Sequence, residues 1–177
     1  MSTPAGEGRL ADGGVPSTPE DLFERLRELG IETQTVRHPP VYTVEEAKAL
    51  RGDLPGAHTK SLFLRDKKKT MWLVVCLEDR RIDLKVLASM LESGRLSFGS
   101  ADRLMRYLGV IPGAVSPFAV INDRGRAVRV ALDTAVLENA PLNLHPLDNA
   151  MTTSIAPRDL LAFLDAEGHQ AQLLEFA

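Results

Sequence analysis

The chain has 177 residues, 44% of them hydrophobic and 25% charged, with a formal net charge of −3. That length suits one domain whose core needs no cross-links, and the single Cys76 excludes an internal disulfide and fits a reducing compartment. No apolar run approaches the ~20 residues of a membrane span, and the acidic balance argues against bulk, charge-driven nucleic-acid binding while leaving room for a local basic face.

In chain order, residues 1–16 are rich in Gly, Ala and small polar residues and lack an apolar signal core, which predicts a disordered tail, a domain over 17–177 and a cytoplasmic protein. Thr18-Pro19-Glu20-Asp21 supplies an N-cap, a first-turn proline and acids, and Leu22, Phe23, Leu26 and Leu29 recur at helical spacing up to Gly30. A strand is expected over 31–36. After the Pro39-Pro40 break, Thr43-Val44-Glu45-Glu46 reads as a capping box starting a two-turn helix, closed off by Gly52, Pro55 and Gly56. A short helix between two breaker clusters has little to hold it, so mobility is expected there.

Residues 59–65 and 70–78 predict a hairpin around a lysine-rich turn; its second strand is apolar on both parities and so covered on both faces. Asp83 and Ser100 each cap a helix, ending near Gly94 and Gly109, with a small strand over 96–98 between them. The loop 110–117 leads into a second expected hairpin, 118–122 with 127–133, the latter strand having one wet face. Strands over 142–147 and 151–155, a helix over 157–167 and a strand over 170–176 complete the chain. Hairpins mixed with helices predict an α+β domain on a mixed, mostly antiparallel sheet.

Three features could carry chemistry. Lys60 shares a strand face with Leu62 and Leu64, so it must snorkel, pair or line a pocket, and snorkelling is the simpler account. The stretch Gly113-Ala114-Val115-Ser116-Pro117 has a backbone fixed by Gly109, Pro112, Gly113 and Pro117 and could aim bare N–H groups at one point, as a developing oxyanion needs; it could equally be an ordinary connection. His145 precedes Asn149, Thr152 and Thr153, residues that also suit turns. The four histidines are scattered without metal-ligand spacing, no phosphate-cradling glycine loop or Gly-x-Ser-x-Gly elbow is present, and Cys76 reads as core.

Four ordered blocks carry a resemblance. They are His38-Pro39-Pro40-Val41-Tyr42-Thr43-Val44-Glu45-Glu46-Ala47, His58-Thr59-Lys60-Ser61-Leu62-Phe63-Leu64-Arg65-Asp66-Lys67-Lys68, Leu108 to Phe118, and His145-Pro146-Leu147-Asp148-Asn149 with the following threonines and Asp159-Leu160-Leu161. From Leu22 onward the chain resembles the YbaK-like aminoacyl-tRNA deacylases, and within them the stand-alone prolyl-tRNA editing proteins that remove alanine. The resemblance implies hydrolysis of a mischarged tRNA, with no metal or organic cofactor and no DNA or membrane partner. It implies contact with the acceptor end and terminal adenosine, and makes prolyl-tRNA synthetase or an elongation factor a candidate partner. It implies that Lys60, Gly113 and Ala114 are catalytic and that Thr59, Ser116, Pro117, His145 and Asn149 bind substrate. Ser61 and Leu144 depart from the family pattern, where asparagine and an aromatic are expected, which opens specificity for cysteine or serine as an alternative; a non-catalytic tRNA- or synthetase-binding module of the same fold is another.

Overall fold

The structure is a computed structural model that describes residues 8–51 and 54–176. In chain order the elements are α1 (Pro19–Glu28), β1 (Gln34–Arg37), α2 (Val44–Arg51), β2 (Ala57–Arg65), β3 (Met71–Leu77), α3 (Leu84–Leu91), β4 (Ser97–Phe98), α4 (Ala101–Leu108), 3-10 turns at Pro112–Ala114 and Pro117–Asn122, β5 (Val128–Asp133), α5 (Thr134–Leu137), β6 (Leu142–Leu144), β7 (Met151–Ile155), α6 (Pro157–Ala166) and β8 (Gln172–Leu174). The strands form one sheet in the order β1-β7-β6-β2-β3-β5-β8, with β4 on the far end of β2. Pairing is antiparallel for β1–β7, β6–β7, β2–β3 and β2–β4, and parallel for β2–β6, β3–β5 and β5–β8. The α+β class with a mixed, mostly antiparallel sheet is therefore as the sequence predicts.

Both faces of the sheet are covered. On one, Phe63, Leu73, Val75, Val130 and Leu132 pack with α1, α4, α6 and the second 3-10 turn through Leu22, Leu26, Leu108, Phe118 and Phe163. On the other, Leu64, Trp72, Val74 and Ala131 pack with Leu87 and Leu91 of α3 and Leu174 of β8. Residues 71–76 of β3 are all buried, which is why that strand reads as apolar on both parities.

Several expectations are corrected. Residues 118–122 form a 3-10 turn rather than a strand: Pro117 starts it, Ala119 N–H reaches the Ser116 carbonyl and Asp123 N–H the Val120 carbonyl, each at 3.0 Å. A short buried apolar run reads the same way for both structures. Its supposed partner, β5, pairs in parallel with β3 and β8 instead, and only Arg129 of that strand is exposed, so it has no wet face. The strand expected over 142–147 ends at Leu144, and the one over 31–36 spans Gln34–Arg37. Within residues 8–16, expected to be disordered, Leu10 is buried and the Ala11 N–H bonds to the Arg106 carbonyl at 2.6 Å; residues 1–7 lie outside the described residues.

Central strand β2 positions the site. It pairs with β3 along Thr59–Arg65 but with β6 only at Ala57 and His58. Beyond His58 the two part, and a cavity opens on the side of the sheet that carries Thr59 and Ser61.

Candidate functional site

The cavity is about 380 Å³, within the range of small-molecule sites. Thr59, Ser61 and Asn143 line it from β2 and β6, Val36 and His38 from the edge strand and the chain after it, and Val115 and Ser116 from the segment between the two 3-10 turns. Asn143 is a strut: its amide donates to the Pro55 and Ala57 carbonyls at 3.0 and 3.2 Å, and its oxygen pairs with the Ser154 hydroxyl at 2.7 Å. The Thr59 hydroxyl donates to the Asn143 carbonyl at 3.1 Å, bridging the strands where they part. α2 reaches the cavity through Ala47. Its N-terminus is capped by Thr43, which accepts from Glu46 N–H at 3.1 Å; the Glu46 carboxylate returns to the Tyr42 N–H at 3.2 Å, one residue earlier than in a regular capping box. None of its described side chains belongs to either core.

Two histidines stand at one end, 6.2 Å apart between ring centroids. His145 Nδ1 lies 2.9 Å from the Met151 carbonyl. A carbonyl only accepts, so Nδ1 carries the proton and Nε2 of the neutral ring keeps a lone pair. His38 is held at both ring nitrogens, Nδ1 2.9 Å from the Pro39 carbonyl and Nε2 2.8 Å from the Thr152 hydroxyl. Burial holds the pKa of His145 below the ordinary imidazole value, outweighing the bond to Met151, and His38 acts in the same direction. His145 is therefore a neutral acceptor at pH 7.

Ser116 is 1% exposed, and among the described residues its Oγ is a buried side-chain polar atom with no hydrogen-bond partner. Such atoms are rare because leaving one unpaired costs ~1–3 kcal/mol. Ser116 is among the residues that line the cavity, so a turn of its side chain lets a bound molecule supply the missing partner.

Of the residues singled out by sequence, Thr59, Ser116 and His145 line the cavity. Gly113 sits against the loops that frame it: a Cβ there would fall 3.0 Å from Asn149 Nδ2 and 3.1 Å from Tyr42 Cδ1. Ala114 does not offer a bare amide, because its N–H closes the first 3-10 turn on the Ile111 carbonyl at 2.9 Å. Pro117 is buried at the start of the second turn. Asn149 is a brace outside the lining: its amide donates to the Val41 carbonyl at 2.9 Å, and Val41 N–H returns to the Asn149 carbonyl at 3.2 Å.

Lys60 is flanked by two lining residues, Thr59 and Ser61, and by alternation points to the other face. It does not snorkel into open solvent. Its ammonium donates to the Arg80 carbonyl at 2.5 Å, two residues beyond Glu78, which lines the cavity's β3 end together with His58. Sequence reasoning gave no role to His38, though it heads the first motif block, and set Thr152 beside His145 without finding its partner, which is 114 residues away.

A mixed sheet with helices on both faces is a fold this chain shares with other proteins. The aminoacyl-tRNA editing domain family matches residues 38–163, and this chain belongs to that family. Among its relatives are the prolyl-tRNA synthetase associated domain-containing protein 1 of Bos taurus, 42% identical over 160 residues (88% of this chain, 93% of the relative), and the prolyl-tRNA editing protein ProX of Acetoanaerobium sticklandii, 39% identical over 155 residues (87% and 94%). A solved structure provisionally described as a trans-editing enzyme for prolyl tRNA synthetase shares the fold, with a TM-score of 0.68 at 21% identity, over 91% of this chain and 99% of that one.

Proposed function

We propose that this chain hydrolyses the ester of alanyl-tRNA mischarged for proline, clearing an error of prolyl-tRNA synthetase in the cytoplasm. The observation that carries the reading is the unpartnered Ser116 hydroxyl, buried in a cavity that also holds the neutral acceptor His145. An amino acid esterified to a ribose brings both donors and acceptors to such a site. Relatives named for prolyl-tRNA support the substrate class.

The ester is already activated, so hydrolysis needs a placed water, donors for the oxyanion and a clamp, with no covalent nucleophile and no metal. The Gly113 amide is the donor proposed for the carbonyl oxygen, with Ser116 beside it. The Ala114 amide serves instead to hold the turn. The role proposed for Lys60 is to hold the ribose or its phosphate where these leave the cavity, past His58, which shares its strand face and lines the cavity's β3 end, and His145 walls the amino-acid end. Pro117 and Asn149 act by fixing the segments that carry these groups. α2, tied to the rest through an exposed Lys48–Asp79 pair at 2.5 Å, is the proposed lid; a pair so exposed contributes little. The acceptor end of tRNA and its terminal adenosine are the contacted parts, delivered by the synthetase or an elongation factor.

Selectivity follows from size. A synthetase pocket built for proline cannot strongly exclude alanine, since a methylene is worth only ~1–3 kcal/mol; a second, tighter cavity can accept alanine and refuse the ring. Ser61 in the lining favours one second reading, a preference for serine or cysteine esters. A panel of tRNAs charged with alanine, serine and cysteine tests both: fastest release of alanine is expected, fastest release of serine or cysteine transfers the assignment, and no release of any overturns it.

A further inference from the structure

The face of the sheet opposite the cavity carries a charged cluster that the proposed reaction leaves unused. Asp133, at the end of β5, is 0% exposed. Its Oδ2 accepts from Arg80 Nε at 2.5 Å and its Oδ1 lies 3.3 Å from Arg80 Nη2. The Arg80 guanidinium also lies over the Phe176 ring, 4.7 Å from its centroid. The backbone of the same residue is held in a turn, Arg80 N–H to the Leu77 carbonyl at 3.0 Å. Its carbonyl receives the Lys60 ammonium. The fully buried carboxylate and the Lys60 ammonium are thus joined through one residue, Arg80, by an ion pair at its guanidinium and a hydrogen bond at its carbonyl.

A buried ion pair is weak evidence of a stability role, because a well-packed apolar pair of similar volume often does as well. What this pair does that an apolar pair could not is fix the place and direction of one carbonyl. We propose that Asp133 and Arg80 are positioning residues for Lys60: they hold the acceptor on which the ammonium rests, and so set where it meets the ribose or phosphate of the substrate. This rests on the reaction proposed above.

Asp133 also caps α5, its Oδ1 accepting from Ala135 N–H at 3.0 Å. Asp133→Asn separates the two tasks. Asparagine is as good an N-cap as aspartate, so Oδ1 keeps the helix and the longer contact to Arg80 Nη2, while its NH₂ meets Arg80 Nε donor to donor, which breaks the shorter contact and removes the charge. The test is a double-mutant cycle on deacylation. Asp133→Asn is expected to lower kcat at least tenfold when Lys60 is present and less than twofold in a Lys60→Ala background. Equal losses in both backgrounds would overturn the proposal, since a merely structural defect ignores Lys60. Should Asp133→Asn fail to fold, Arg80→Lys replaces it in the same cycle, because lysine cannot reproduce the two-pronged contact. The Lys60 ammonium signal in ¹⁵N NMR gives a readout free of activity: held against exchange in the parent chain and released in either variant if the seat is as described, unchanged in both if it is not. Hydrolysis of no aminoacyl-tRNA by the parent chain would remove the proposed function, while the ammonium signal alone would still decide the seat.

Discussion

The two halves of β2 do different work. Phe63 and Leu64 are buried, one in each core, and their half pairs with β3 on one side and β4 on the other. Residues 57–62 are only half-buried, and beyond His58 their pairing to β6 lapses. The same alternation that sends Phe63 and Leu64 to opposite cores sends Thr59 and Ser61 into the cavity and Lys60 to the face where Arg80 and Asp133 wait. A strand that keeps one neighbour and loses the other thus changes from scaffold to site within three residues, without a break in the chain.

If that contrast holds, damage to one half should spare the task of the other. Leu64→Ala has the largest expected effect and should cost ~2–5 kcal/mol of stability, as buried leucines do, with kcat per folded molecule kept; chemical denaturation and turnover divided by the folded fraction check it. Lys60→Ala should lower deacylation by about a hundredfold, the scale of one lost transition-state donor, with the unfolding midpoint almost unmoved. Parental turnover by that variant would erase the contrast.

Ser116→Ala sharpens it from the other side of the cavity. Activity should fall by about tenfold while stability stays level or rises by up to ~1 kcal/mol, because the change removes a buried hydroxyl that nothing satisfies. A clear loss of stability would mean the hydroxyl is paired within the fold. The smallest effect concerns pH. Because burial lowers the folded-state pKa of His145, the unfolded chain binds the proton first as pH falls through the ordinary imidazole range. Stability should therefore drop on acidification in that window, and His145→Gln should flatten the drop; an unchanged slope would contradict a buried, neutral ring.

Local chemistry made much of this legible in the sequence. The Thr18, Asp83 and Ser100 caps and the β2–β3 hairpin read correctly because each depends on neighbours within a few residues. The 3-10 turn over 117–122 did not, because a buried apolar hexapeptide has no period to read. Lys60 was conspicuous by its strand face, yet its seat is a backbone carbonyl twenty residues on, which no side-chain pattern encodes. The Ala114 amide looked free until its turn closed on Ile111, and the Asn149 side-chain NH₂ looked like a ligand until the Val41 carbonyl claimed it.

The central claim is that the cavity beside Ser116 and His145 receives an alanyl ester and refuses a prolyl one. The most direct measurement mixes tRNA for proline charged with alanine and with proline, labelled differently, and follows both releases in one reaction. Rapid loss of alanine with proline retained is the predicted result; loss of both at one rate would contradict it.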